Sequence, residues 1–287
     1  MEQFFQAALK TIGDRSAIKN WRRVRGGDIN DAYYVRSEEN EYFIKLQDQA
    51  PPRFFEIEAE GLNELRKANA IHVPKVYGFY DREDLSFLLM EWVEGLVAKN
   101  TGELLGHGVA QLHQYTNDHF GYGHDNFIGK LVQKQAWSSS WIDYYRDIRL
   151  SWQIQLAEQR NLLPLSIRKK LDQLLNQLDK WLPKQCRPSL LHGDLWGGNW
   201  IIGPKGTPYL IDPSVLYGHH EFEIAFTELF GGFPASFYYA YEEILPLSPE
   251  YQERKPLYQL YYLLVHLNLF GTSYLKSIER IVRYYTG

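Results

Sequence analysis

The segment from Ser189 to Asp212 constrains this chain more than any other, because it breaks into a mostly helical half with short apolar runs joined by polar turns. It reads SLLHGDLWGGNWIIGPKGTPYLID. An apolar strand enters a loop of His, Asp, Gly and Asn, a strand-like NWII follows, GPKGTP turns, and a second strand ends in aspartate. A hairpin brings separated positions together, so Asp194, Asn199 and Asp212 can converge at one open end. Two carboxylates and a carboxamide oxygen suit magnesium, which takes one or two carboxylates plus substrate phosphates. The chemistry such a set serves is phosphoryl transfer, with one Asp beside the acceptor hydroxyl and the Asn and other Asp on metal. Taken alone, a polar turn capping two strands accounts for the same spacing.

Upstream, other parts of a phosphoryl-transfer site occur in order. Asp31 to Leu46 reads as a hairpin with a polar turn at Ser37 to Asn40, and Phe54 to Lys67 as a helix. After Pro74 a further strand pair ends in SFLLMEWVEG. Beyond Gly95 helical periods dominate, as in Ile167, Leu171, Leu174, Leu175, Leu178 and Leu182. The pattern predicts an α+β fold, with residues 1–93 as a small antiparallel-sheet lobe carrying one helix and 94–287 as a larger, mainly helical lobe. The boundary falls at Trp92 to Gly95.

Lys45 lies in YFIKL on the second strand of the hairpin, where an ammonium can reach nucleotide phosphates. It needs a carboxylate partner on the next helix, which offers Glu56, Glu58 and Glu60. Helical geometry selects Glu58, four residues after Phe54, four before Leu62 and seven before Leu65, on the inward apolar stripe. Glu56 and Glu60 stack on the opposite side with Glu64 and Lys67, where a solvated face explains them. An inward acid without a partner is costly, so a Glu58 to Lys45 ion pair is expected. Gly26 and Gly27 allow close backbone approach to phosphates, although an ordinary hairpin entry explains them too. The strand Leu88 to Val93, including Met90, offers backbone groups at Glu91 and Val93 to an adenine edge; a core strand and linker is the plainer alternative.

Composition removes several classes. Thirty-one Lys plus Arg against 35 Asp plus Glu give a net charge of −4 with no long basic run, so no nucleic-acid partner is expected. The single cysteine, Cys186, excludes an intramolecular disulfide and a multi-cysteine metal site, and suits a reducing, cytoplasmic setting. No segment reaches the roughly 18 apolar residues of a membrane span, and the amino terminus is too short in apolar residues for a secretory signal. Composition does not define the oligomeric state; a monomer is the working expectation.

At HGDLWGGN, His192 to Asn199, the sequence closely resembles the fructosamine (ketosamine) kinase family, and Trp196 separates it from the wider aminoglycoside and choline kinase group. The likeness continues through Gly26 and Gly27, FIK at Phe43 to Lys45, EAEGL at Glu58 to Leu62, LLMEWVEG, and LHQ at His113. It extends over FGYGHDNFIG at Phe120 to Gly129, the stretch from Trp141 to Leu150, IDPS at Ile211 to Ser214, and YQLYYLLVHLNLFG. The resemblance implies a protein-kinase-like bilobal fold. It also implies ATP- and Mg2+-dependent phosphorylation of the third-carbon hydroxyl of sugars attached to amines by glycation; the phosphoester then eliminates and releases the amine, a repair reaction. Residue by residue, it implies Asp194 as catalytic aspartate, Asn199 and Asp212 as magnesium ligands, and Lys45 as phosphate lysine with Glu58 as partner. Met90, Glu91 and Val93 would form the adenine hinge, and His192 would brace the loop.

Trp196, Trp141, Arg149 and Tyr217 lie in these motif stretches, where a sugar face can stack; packing is the plainer role for the aromatics. Asp28 stands where some relatives carry cysteine, which removes a redox switch at that loop. Glu223 stands where an aspartate is common in relatives, and its role stays open. The acceptor, whether a small ribulosamine, an erythrulosamine, a fructosamine or a protein-bound adduct, is also open. Two rivals remain: a kinase of another small molecule on the same fold, and a non-catalytic nucleotide-binding module.

Overall fold

The computed structural model describes residues 1–24, 31–81 and 85–287. Helix α1 (Glu2–Thr11) precedes strands β1 (Ile18–Val24), β2 (Asp31–Ser37) and β3 (Glu41–Gln47), helix α2 (Phe54–Lys67), and strands β4 (Val76–Asp81) and β5 (Ser86–Glu91). The strands form one five-stranded antiparallel sheet in the order β1-β2-β3-β5-β4. Strand alternation gives β3 two destinations. Tyr42, Ile44 and Leu46 pack with Phe5 and Leu9 of α1, while Phe43 and Lys45 face the cleft on the other side.

Helix α2 covers that second side and is tied to the sheet at its start. The Asp81 carboxylate, at the end of β4, accepts from the Phe55 and Glu56 backbone N–H groups at 3.2 and 2.8 Å. This satisfies donors that the first helical turn leaves without partners and places negative charge at the positive end of the helix. The apolar stripe of α2, Phe54, Leu62 and Leu65, does not close a core of its own; it joins the large core that runs through the rest of the chain.

That remainder comprises α3 (Thr101–Gln114), the β6 (Asn126–Ile128) and β7 (Leu131–Gln133) ribbon, and α4 (Trp141–Asp143), which runs through a π-helical stretch, Tyr144–Leu150, into α5 (Ser151–Gln159). Then come α6 (Leu165–Leu175), β8 (Ser189–Leu191), β9 (Trp200–Ile202), β10 (Pro208–Leu210) and β11 (Leu216–Gly218). Helices α7 (His220–Thr227), α8 (Ala235–Ile244), α9 (Tyr251–Phe270) and α10 (Leu275–Thr286) complete it. The period expected to run to Leu182 ends earlier as an α-helix: α6 stops at Leu175, and a 3₁₀ turn, Leu178–Lys180, carries Leu178 into the same core. Among the described residues, no helix is long and apolar enough to cross a membrane.

Candidate active site

Lys45 sits between two carboxylates. Its Nζ lies 2.6 Å from Glu58 Oε1 and 2.5 Å from Asp212 Oδ1, with the lysine side chain 7% exposed. Burial alone would strip its proton, but Asp212 and Glu58 outweigh that and hold the ammonium charged. The other acids of α2 behave differently. Glu56 and Glu60 pair with exposed Arg53. Glu64 pairs with Lys67 but also accepts from the Tyr217 hydroxyl at 3.0 Å, so its face is not simply solvated.

The loop His192 to Asn199 is held by strands and one buried ring. β8 pairs with β11 and β9 with β10, so the segment entering the loop and the hairpin leaving it stand side by side. The His192 ring spans them, its Nε2–H donating to the Ile211 carbonyl at 2.7 Å and Nδ1 accepting from the Asp194 N–H at 3.3 Å. Burial lowers the pKa of that imidazole, which fits this neutral, one-donor, one-acceptor role. Gly193 has φ +86°, and a Cβ there would stand 1.9 Å from the Ser214 carbonyl oxygen, so only glycine fits. Asp212 has φ +57°, a left-handed conformation that aspartate tolerates better than most residues.

Asn199 Nδ2 donates to the Asp194 carbonyl oxygen at 2.7 Å and to Asp194 Oδ2 at 3.0 Å, leaving Asn199 Oδ1 as a ligand atom. Burial pushes the Asp194 carboxyl well above the usual carboxylate range; Asp212 and Glu223 add to the push and the Asn199 hydrogen bond opposes it. Crowded carboxylates with a bare carboxamide oxygen are a donor set that a divalent cation would relieve, so these residues fit magnesium.

Glu223, whose role the sequence leaves open, lies under the loop. It is fully buried on α7 and accepts from His192 N–H at 2.9 Å, Gly193 N–H at 2.6 Å and His113 Nε2 at 2.9 Å. Burial alone would raise its pKa, yet the His113 hydrogen bond, electrostatic attraction from the His113 and His192 rings and the Gly193 N–H together lower it. Its anion therefore anchors the two residues before Asp194. His266, which the sequence does not single out, lines the cleft from α9, and its Nδ1–H donates to the Tyr262 carbonyl at 2.8 Å, which makes Nε2 the ring's acceptor. Neither residue has a local signal, since each depends on packing between distant elements.

One cleft of about 510 Å³ joins these parts. Lys45, Glu58, Met90, Glu91, Val93, Asp194, Trp196, Asn199 and Asp212 all line it. Gly26 and Gly27 lie outside the described residues. Of the four residues expected at the acceptor, Trp196 alone lines the cleft; it is 43% exposed, its ring lying over Gly198. Trp141, Arg149 and Tyr217 need correction, because all three are buried away from it. Trp141 Nε1 donates to the Tyr258 hydroxyl at 3.1 Å within a cluster that includes Tyr145 and Phe222. The Arg149 guanidinium donates to the Lys134 carbonyl and lies over the Tyr144 ring. Tyr217 is spent on Glu64.

An antiparallel sheet with a buried Lys–Glu pair, followed by a helical part with an Asp…Asn loop and an Asp after a hairpin, defines the protein-kinase-like phosphotransferase class. Within it, a family model described as fructosamine kinase matches residues 1–286, and the chain belongs to the fructosamine kinase family. It is 40% identical over 260 residues to a probable ketoamine kinase of Enterococcus faecium, covering 90% of this chain and 92% of that one. It is 34% identical over 278 residues to a chloroplastic protein-ribulosamine 3-kinase of Oryza sativa, covering 96% and 81%. A solved structure of a candidate fructosamine-3-kinase from Haemophilus somnus superposes with a TM-score of 0.85 at 31% identity, covering 98% of this chain and 96% of that one.

Proposed function

We propose that this protein transfers the γ-phosphoryl group of ATP to the third-carbon hydroxyl of a ketosamine, the adduct formed when a sugar glycates an amine. The observation that carries the reading is the placement of Asp194, Asn199, Asp212 and the Lys45–Glu58 pair on one cleft. Adenine enters beside Met90 to Val93, and the ammonium of Lys45 meets the phosphates. Glu58 keeps Lys45 extended along the sheet, while the hydrogen bond from Asn199 orients the Asp194 carboxylate. Asp194 receives the acceptor's hydroxyl proton as its oxygen bonds to phosphorus and the bond to the ADP oxygen breaks. Asn199 Oδ1 and Asp212 would hold magnesium, which supplies charge neutralisation for the transferring phosphoryl group. Trp196 offers a face to the acceptor sugar. The phosphorylated adduct is prone to eliminate phosphate and release the amine, which makes deglycation repair the cellular role.

We further assign residues 1–93 to nucleotide binding and 94–287 to catalysis and acceptor binding, and the single cysteine supports a reducing, cytoplasmic setting. The test of the mechanism is Asp194→Asn, assayed for ADP release in the presence of a ribulosamine. A general base contributes about 10²- to 10⁴-fold, so turnover should fall at least that far while ATP affinity is retained. Turnover near that of the unaltered protein would remove Asp194 from the reaction.

A further inference from the structure

The lining of the cleft is of two kinds. Lys45, Glu58, Glu91, Asp194 and Asp212 supply its charge, whereas α9 contributes Val265, His266, Leu269 and Phe270. These four share one helix face, at spacings of one, four and five residues. Behind them the rings continue: His266 lies 4.6 Å from Phe230, 5.5 Å from Phe270 and 5.1 Å from Tyr274, centroid to centroid. Phe230 and Phe270 are 42% and 53% exposed.

The Phe230 loop is fixed against the catalytic loop. A Cβ on Gly232 would stand 2.6 Å from the Gly197 Cα, and one on Gly197 would stand 2.8 Å from the Gly232 Cα, so only glycines permit this approach. Large aromatic side chains left exposed around a cleft mark a binding surface more often than a packing accident. Among the described cleft residues, Lys45 is the single fixed cation, and Glu58 and Asp212 already engage it. An acidic group at the α9 end would lose water without gaining a partner.

We infer that the α9 end of the cleft, with Phe270 and Phe230 as its rim, is a subsite for the amine part of the acceptor and selects apolar, above all aromatic, amines over carboxylate-bearing ones. The inference rests on the ketosamine reading and adds the substrate class. With the sugar hydroxyl at Asp194, the nitrogen substituent extends toward Trp196 and α9, where ring stacking and apolar burial hold it.

The experiment compares kcat/KM of the full chain for the ribulosyl adducts of phenethylamine, ethylamine and glycine, which share one sugar. The expected order is phenethylamine first, ethylamine second and glycine last. A phenethylamine to ethylamine ratio on the order of tenfold or more is expected for one added ring in an apolar subsite. Phe270→Ala and Phe230→Ala should each bring that ratio toward one, and Phe270→Tyr should restore it; both positions are exposed enough for these variants to fold. Equal kcat/KM for the three adducts, or a ratio that survives both alanine variants, overturns the inference while leaving the ketosamine reading standing. Turnover of none overturns the ketosamine reading, and the inference with it.

Discussion

At the scale of the residue, Glu223 and Glu58 show how a buried carboxylate acts through its neighbours. Glu58→Gln removes one of the two carboxylates that hold Lys45, and because Asp212 still pairs with the ammonium the cost should fall below the about 3 to 5 kcal/mol of an uncompensated buried charge. The expected outcome is a lower denaturation midpoint together with turnover reduced by roughly the 10²-fold that misplaced positioning groups can cost, checked by urea unfolding and ADP release. Retention of full activity would contradict the Lys45 assignment. Glu223 touches no reacting atom, so Glu223→Gln should lower kcat while leaving the KM for ATP in place, measured by initial rates. Its folded pKa lies below the ordinary value of 4.5, so the stability it contributes is complete above that pH and is lost as pH falls through the lower folded value. Below pH 4.5 the urea midpoint of the unaltered protein should therefore fall more steeply than that of Glu223→Gln.

At the scale of the element, legibility tracked burial. The α2 helix was readable because its stripe at Phe54, Glu58, Leu62 and Leu65 has a single period, and that period picked Glu58 from three acids. The β2–β3 hairpin and the β9–β10 hairpin were readable from aromatic and β-branched runs flanked by turn residues. Strand β1 was not, because IKNWRRV is an exposed edge strand with no alternation to read. Helix α1 buries just Phe5, Ala8 and Leu9, too short a stripe to stand out beside its neighbours. Trp141, Arg149 and Tyr217 were misplaced for a related reason: motif membership marks a residue as constrained, and burial decides whether packing or substrate constrains it. The loop itself makes a sharp prediction. Gly193→Ala would force φ +86° on a residue with a Cβ and drive that Cβ into the Ser214 carbonyl, so it should abolish turnover and lower the thermal midpoint, read by calorimetry.

At the scale of the whole molecule, the sheet has a core of its own with α1, while α2 contributes Phe54, Phe55, Leu62 and Leu65 to the core shared with α3, α7 and α9 and so couples the two parts. A single cooperative unfolding transition is expected, with circular dichroism and tryptophan fluorescence coinciding. ATP at a hundred times its Kd should stabilise the protein by about 2.7 kcal/mol across that one transition. Two separated transitions would show that the part before Trp92 unfolds alone. The fold class was legible because a strand-rich part and a helix-rich part meet at a short segment. Glu223 and His266 were not, since their placement exists only once α7 and α9 pack against the loop.

The central claim is ketosamine phosphorylation, and its most direct test is magnesium-dependent ADP release from ATP with a ribulosamine and a fructosamine, set beside choline, kanamycin and free ribose. Turnover confined to the ketosamines and lost in Asp194→Asn is the predicted result. Preferred turnover of choline, kanamycin or ribose would contradict it, keeping the phosphotransferase site and moving the acceptor to another class.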